Sequence, residues 1–419
     1  MTATSSPPPT VEARQAHHLL ELEGLRALAA VAVLLTHAGF LSGATGRLIL
    51  PGFLARMDIG VAIFFVLSGF LLYRPHAQHV ITGKPAPDPR SYGLRRAARL
   101  VPAWLAVLIG TIFLVPESRS APASVWIANL LQLQSLKLEW DLPGLAQLWS
   151  LSTEVMFYVA LPLVAVLVAR YAAPRGPRTH LVALTSLAVA TWLFRVLDGI
   201  GALPEGFSWV RTLPAVGDWF VVGMVLAVVL TDETLRRPVA AVVQAVPWHL
   251  YALAACVFWV LTTRAAGPYD LTPPTASEAT VKHLGYTVVA ALVVAPSVLG
   301  ARTPVSRLLT SRVLTYVGAI SYGIFLWHLP IMFRVRSMLG LEVFGYGFWV
   351  TVVLTLAASI AVAALSWHVL EAPVQAWARR RTAPPSSTTP SVPADAVVGV
   401  VGVTGPRRGE RHEEQGQGT

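Results

Sequence analysis

Charge is what this chain has least of. Asp, Glu, Lys and Arg make up only 13% of its 419 residues, against about 25% in a soluble domain. Hydrophobic residues make up 54%. That balance excludes an ordinary water-soluble fold and fits a chain whose solvent is lipid. Cysteine is nearly missing as well. Cys256 is the single one and lies in an apolar run, which excludes an intramolecular disulfide. There is no Gly-rich nucleotide loop and no G-x-S-x-G elbow, which argues against P-loop and α/β-hydrolase chemistry. No set of side chains has metal-ligand spacing. His76 and His79 stand one helical turn apart, but they flank a Pro-rich loop without partners, so no metal is expected. An internal repeat of the kind found in many secondary transporters is also missing.

The chain does have long apolar runs, many near the roughly 20 residues that span a bilayer. They predict an all-α polytopic bundle of about ten spans, near 24–42, 58–74, 100–116, 149–170, 180–197, 214–230, 246–264, 284–300, 314–333 and 346–368. The net charge of +10 would suit nucleic acid, but its distribution argues otherwise. Arg and Lys collect in alternate loops: Arg74 to Arg99, Arg170 to Arg178, Arg236 and Arg237, Arg302 to Arg312, and again at Arg379 to Arg381. The positive-inside bias then puts these loops and both termini in the cytoplasm. The partner is the cell membrane, and no nucleic acid is expected. Residues 1–17 read as a disordered leader without a cleavable signal pattern. Residues 18–381 read as the membrane domain and 382–419, rich in Pro, Ser, Thr and Gly, as a disordered cytoplasmic tail.

Ionisable residues inside such spans are functional hypotheses by default. The first span, LEGLRALAAVAVLLTHAGF, carries Arg26 and His37. Their eleven-residue separation brings both to one helix face, roughly 16 Å apart along the axis. Two readings stand for each: Arg26 either snorkels to the headgroups or serves a site, and His37 either packs as a neutral imidazole or reacts. Asp58 opens the second span within reach of His37, or else caps a helix. Arg95, Arg96 and Arg99 sit at the mouth of the third span, as phosphate ligands or as a topological signal. Glu154 falls inside the fourth span, where it could orient a histidine. Trp149 and Tyr158 nearby fit an interfacial belt. His328 lies in the ninth span at a depth like that of His37. Glu371 and Pro373 read as a helix terminus.

Together the segments GLRALAAVAVLLTHA, GVAIFFVLSGFLLYRP, YGLRRAARLVPAW, LWSLSTEVMFY, ISYGIFLWHLPI and SWHVLEAPV resemble the acyltransferase 3 family of integral membrane O-acyltransferases. The resemblance covers about residues 22–375. Arg26 and His37 match the family's Arg and His of the first helix, the signature of activity. Arg96 and Arg99 match its Arg-x-x-Arg. Trp149, Ser150, Leu151, Ser152 and Glu154 match its Trp-Ser-Leu-Ser-x-Glu segment. Many relatives follow that Glu with a second acidic residue, where this chain has Val155. The resemblance implies transfer of an acetyl or other short acyl group from acyl-CoA to a hydroxyl of a carbohydrate or glycosylated metabolite. His37, Glu154 and His328 would be the catalytic residues, and Arg26, Arg96 and Arg99 would bind the CoA phosphates. A transporter or flippase of a lipid or glycan is the alternative from another class.

Overall fold

The computed structural model describes residues 11–47 and 52–382, with side chains from Leu19 onward. The expected tail lies outside the described residues beyond Thr382, as do residues 1–10 of the expected leader, but residues 11–17 are helical and continue into the first span, which corrects the leader reading there. Among the described residues there is no strand. In order the helices are α1 (Val11–Leu41), α2 (Ile59–Thr82), α3 (Pro89–Leu114), α4 (Ala123–Leu130), α5 (Trp149–Ala172), α6 (Pro177–Gly199), α7 (Leu213–Thr231), α8 (Glu233–Ala245), α9 (Pro247–Leu261), α10 (Ala276–Val298), α11 (Pro304–Leu309), α12 (Arg312–Ala319), α13 (Ser321–Met338), α14 (Phe348–Ser366) and α15 (Ala372–Arg381).

Among the described residues eight helices are long and apolar enough to cross a membrane, and two bent pairs bring the number up to ten. The span predicted at 246–264 is α9 alone, set off from α8 by a sharp bend at its start, and the one predicted at 314–333 is broken between α12 and α13. The α8–α9 pair bends by 77° and the α12–α13 pair by 71°. The first break falls at Pro247, which has no N–H to continue the helical ladder. A hydropathy window averages over the α12–α13 corner because apolar residues lie on both sides of it.

Helix α13 forms the centre of the bundle. Every residue from Ser321 to Met332 is buried, as suits a helix packed on all sides. Helix α1 packs against α2, α12, α13 and α14. The most extensive helix contact joins α2 to α7. A Cβ on Gly69 would collide with the backbone of Phe220, and one on Gly223 with that of Val66. Small residues at such a contact let two backbones approach. The outer faces of α3 and α6 instead leave Ile109, Phe113 and Leu193 exposed, where lipid would cover them.

Loops sort by face. Arg95 on α3 binds the hydroxyl and carbonyl of Thr382 at 2.8 and 3.1 Å, so the start of α3 and the end of α15 share one face. At the other end Arg47 donates to the carbonyl of Phe344, and buried Arg56 donates to the carbonyls of Leu261, Gly267 and Pro268. The loops after α1, α9 and α13 therefore share the opposite face.

Candidate active site

A cavity of about 330 Å³ opens among α1, α2, α3, α5 and α13. Its polar lining is Glu23, Arg26, Ser68, Arg96, Arg99, Ser150, Glu154, Tyr158 and Tyr322. The three arginines expected to act together do line one space. Arg26 makes only a loose ion pair with Glu23, at 3.8 Å. The Nε atoms of Arg26 and Arg96 are buried without a hydrogen-bond partner. A buried unsatisfied donor costs about 1–3 kcal/mol, and more when charged. An anionic ligand would recover that cost.

Glu154 stands in this arginine cavity, and neither histidine is hydrogen-bonded to it. Ser68 Oγ and Tyr158 Oη both donate to its Oε1, at 2.7 and 2.6 Å. Tyr158 follows Glu154 by one helical turn, which is what brings the phenol back onto the carboxylate. It is buried and carries the Arg96 guanidinium over its ring at 5.9 Å, so the interfacial placement is corrected. Trp149 is half-buried, edge-on to Phe65 at 6.4 Å. The serines of this segment divide the work: Ser150 lines the cavity, while buried Ser152 donates to the carbonyl of Gln132. Gln132 has a positive φ of 58°, and Ser152 fixes that unusual turn.

His37 and His328 meet. Nε2 of His328 lies 3.1 Å from Nδ1 of His37, although 291 residues separate them in sequence. Their tautomers follow from the carbonyls around them. Nδ1 of His37 is 2.8 Å from the carbonyl of Val33, and Nδ1 of His328 is 2.7 Å from that of Phe325. A carbonyl only accepts, so both Nδ1 atoms carry protons. His328 Nε2 is then the bare acceptor facing His37. His37 is half-buried, and its Nε2, unprotonated in the neutral ring, has no hydrogen-bond partner among the described residues. Phe325 links the two features, since it lines the cavity and touches His328 with ring centroids 5.8 Å apart.

Asp58 does not reach His37. It binds Lys282 Nζ at 2.7 Å and Tyr286 Oη, tying the start of α2 to α10, and its side chain caps no helix. Glu371 is no simple terminus. It is buried in a π-helical turn, Trp367–Glu371, and accepts from Ser366 at 3.0 Å. Among the described residues no group of His, Cys, Asp and Glu could hold a metal ion. Ser68, Tyr158 and Tyr322 are cavity residues that sequence reasoning missed. Only the one-turn spacing of Glu154 and Tyr158 offered a signal.

A bundle of apolar helices around an arginine-lined cavity, with a histidine pair beyond it, defines a multi-pass membrane protein with a polar site inside its helices. The acyltransferase domain of the acyltransferase 3 family matches residues 19–368, and the chain belongs to that family. It is 27% identical over 373 residues to the peptidoglycan O-acetyltransferase OatA of Listeria monocytogenes, covering 84% of this chain and 55% of that protein. It is 26% identical over 342 residues to the O-acetyltransferase OatA of Staphylococcus aureus, covering 76% and 51%. The chain thus spans about half the length of these curated relatives. No solved structure matches it.

Proposed function

We propose that the protein transfers an acetyl or other short acyl group from acyl-CoA to a hydroxyl of a carbohydrate or glycosylated small molecule, with an extracytoplasmic glycan as the favoured acceptor. The observation that carries this reading is His37. Its Nδ1–H is held by Val33 and His328, which leaves Nε2 as a base with a fixed direction. The acceptor hydroxyl gives its proton to Nε2 as its oxygen attacks the thioester carbonyl. The C–S bond breaks, the acyl ester forms, and the proton passes to the CoA sulfur. The imidazolium formed on the way is stabilised by the Val33 carbonyl and His328 Nε2. His328 positions His37 and does not itself act on the substrate.

Arg26, Arg96 and Arg99 would hold the donor's phosphates, since guanidinium forks match phosphate oxygens. A cavity of about 330 Å³ is at the small end of ligand sites, about 300–1,000 Å³. It therefore takes part of the donor and leaves the nucleotide at the mouth. Glu154, held by Ser68 and Tyr158, keeps the arginine cluster from carrying uncompensated charge when the donor is absent. The arginine face is assigned to the cytoplasm by the positive-inside bias. Donor and acceptor would then meet across the membrane. The names of the OatA relatives agree with acetyl transfer to a glycan.

The test uses right-side-out vesicles loaded with labelled acetyl-CoA and given a membrane-impermeant oligosaccharide outside. Label should reach the external sugar. His37→Ala should cut transfer by about 10²–10⁴-fold while the protein still inserts. Normal turnover by that variant overturns the assignment. Label that appears only with the acceptor inside, as for a cytoplasmic macrolide sugar, reverses the sidedness alone. Substrate movement that needs no acyl donor and survives loss of His37 would mark a transporter or flippase instead.

A further inference from the structure

At the opposite end of α1 from the arginine cavity lies a second cavity, of about 340 Å³. Phe40, Arg47, Arg264, Tyr269, Asp270 and Phe344 line it. Phe40 comes three residues after His37 on the same helix, so this cavity begins about one turn, some 5 Å, beyond the histidine pair.

Its walls are rigidly built. Buried Arg56 bonds three carbonyls, one at the end of α9 and two in the loop after it. Tyr269 donates to the Thr262 carbonyl at 2.8 Å. Two guanidinium groups approach its ring, Arg264 at 4.4 Å and Arg56 at 5.6 Å. Phe344 holds a left-handed backbone, φ 61°, which is costly for a bulky residue. Its N–H donates to the Leu41 carbonyl at 2.7 Å and its own carbonyl accepts from Arg47. The strain therefore presents Phe344 and Arg47 to the same space. Arg47 also donates to Gly43 O at 3.1 Å through Nε and keeps Nη1 free of partners among the described residues. Arg264 is exposed and makes no side-chain hydrogen bond among them. The hydroxyl and amide of Thr272 hold the Asp270 carboxyl below its usual range, so it is an ionised acceptor.

Aromatic faces suit the C–H faces of sugar rings, a carboxylate accepts from sugar hydroxyls, and two arginines against one aspartate leave a net positive charge. We propose that this cavity is the acceptor site, and that it takes a glycan bearing an anionic group, a carboxylate or a phosphate, bound by Arg264 and Arg47. This rests on the acyl-transfer reading above and names its substrate class.

The probe is a tetrasaccharide of alternating glucuronate and N-acetylglucosamine, compared with its methyl ester, of similar shape but uncharged, and with the same tetrasaccharide phosphorylated after esterification. Binding to the protein in nanodiscs and transfer from labelled acetyl-CoA are measured in parallel. The acid should bind about tenfold tighter than the ester, the size of one charge-assisted contact. The phosphorylated ester should tell whether phosphate replaces carboxylate. Arg264→Gln should remove the preference for charge, whereas Arg175→Gln, at an exposed arginine outside the cavity, should keep it. Equal binding of acid, phosphate and ester, or a preference that survives Arg264→Gln with Arg47→Gln, overturns the site. Charge-selective binding without label transfer leaves the site standing and sinks the enzyme. Equal transfer to all three does the reverse.

Discussion

Two buried polar clusters lie in this bundle, and they are finished to different degrees. Between α7 and α10 both oxygens of the Asp218 carboxylate are engaged. His283 Nε2 donates to both oxygens of Asp218 at 2.9 Å, and Thr287 donates to Oδ2 at 3.0 Å. Trp219 in turn donates to Thr287 at 2.9 Å and stacks on His283 with centroids 4.6 Å apart. In the arginine cavity both donors to Glu154 converge on Oε1, and the Nε atoms of Arg26 and Arg96 have no partner. A cluster that satisfies itself needs nothing from outside and serves to hold helices together. A cluster left incomplete beside a cavity carries its own desolvation cost until a ligand arrives. Buried charge alone does not mark a site. Buried charge with unfilled hydrogen bonds and room beside it does.

This contrast can be broken by exchange of effects. Asp218→Ala should be the most damaging change to stability, lowering it by about 3 kcal/mol because His283 and Thr287 lose their acceptor in a buried place. Heat unfolding in detergent reads this, and the KM for acyl-CoA in the surviving folded fraction should stay unchanged. Arg96→Ala should do the opposite. The KM for acyl-CoA should rise by about tenfold with the acceptor KM and the melting temperature unmoved. A loss of stability there without a change in KM would return Arg96 to a topological role. Tyr158→Phe removes one of two bonds to Glu154 and should cost about 1 kcal/mol, seen as a weaker donor KM of a few-fold. Lys282→Met should be nearly silent, within about 1 kcal/mol. Its ion pair with Asp58 is partly exposed, and Tyr286 still holds the carboxylate.

The legible part of this molecule was whatever one helix carries by itself. Apolar runs gave the spans, and the Arg26–His37 interval put two groups on one face. The arginines of YGLRRAARLVPAW and the glutamate of LWSLSTEVMFY were visible as ionisable residues in or beside lipid. What stayed hidden was pairing between helices. Nothing local to His37 names His328 as its contact, and nothing local to Glu154 names Ser68. Asp58 looked like a neighbour of His37 because both lie at the same end of adjacent spans. In fact α10 brings Lys282 and Tyr286 closer. Asp218 and His283 escaped notice because each alone sits near the start of its helix, where a charged residue needs no explanation. Tyr158 looked interfacial because composition rewards tyrosine near a helix end and cannot see a carboxylate one turn away.

Arg26 and His37 are fixed to one uninterrupted rod, since α1 is helical without a break from Val11 to Leu41. The helix therefore acts as a ruler. On the acyl-transfer mechanism proposed above, it would set the interval between the arginines that hold the donor and the imidazole at which its carbonyl reacts, at about 1.5 Å for each residue counted. One alanine inserted after Val31 would turn His37 through about 100° and leave the grip untouched. A thioester carried on a shorter arm would be seized as tightly as before and would stop short of the imidazole. Donor choice then becomes a matter of length as well as charge, measured out by the backbone of a single helix.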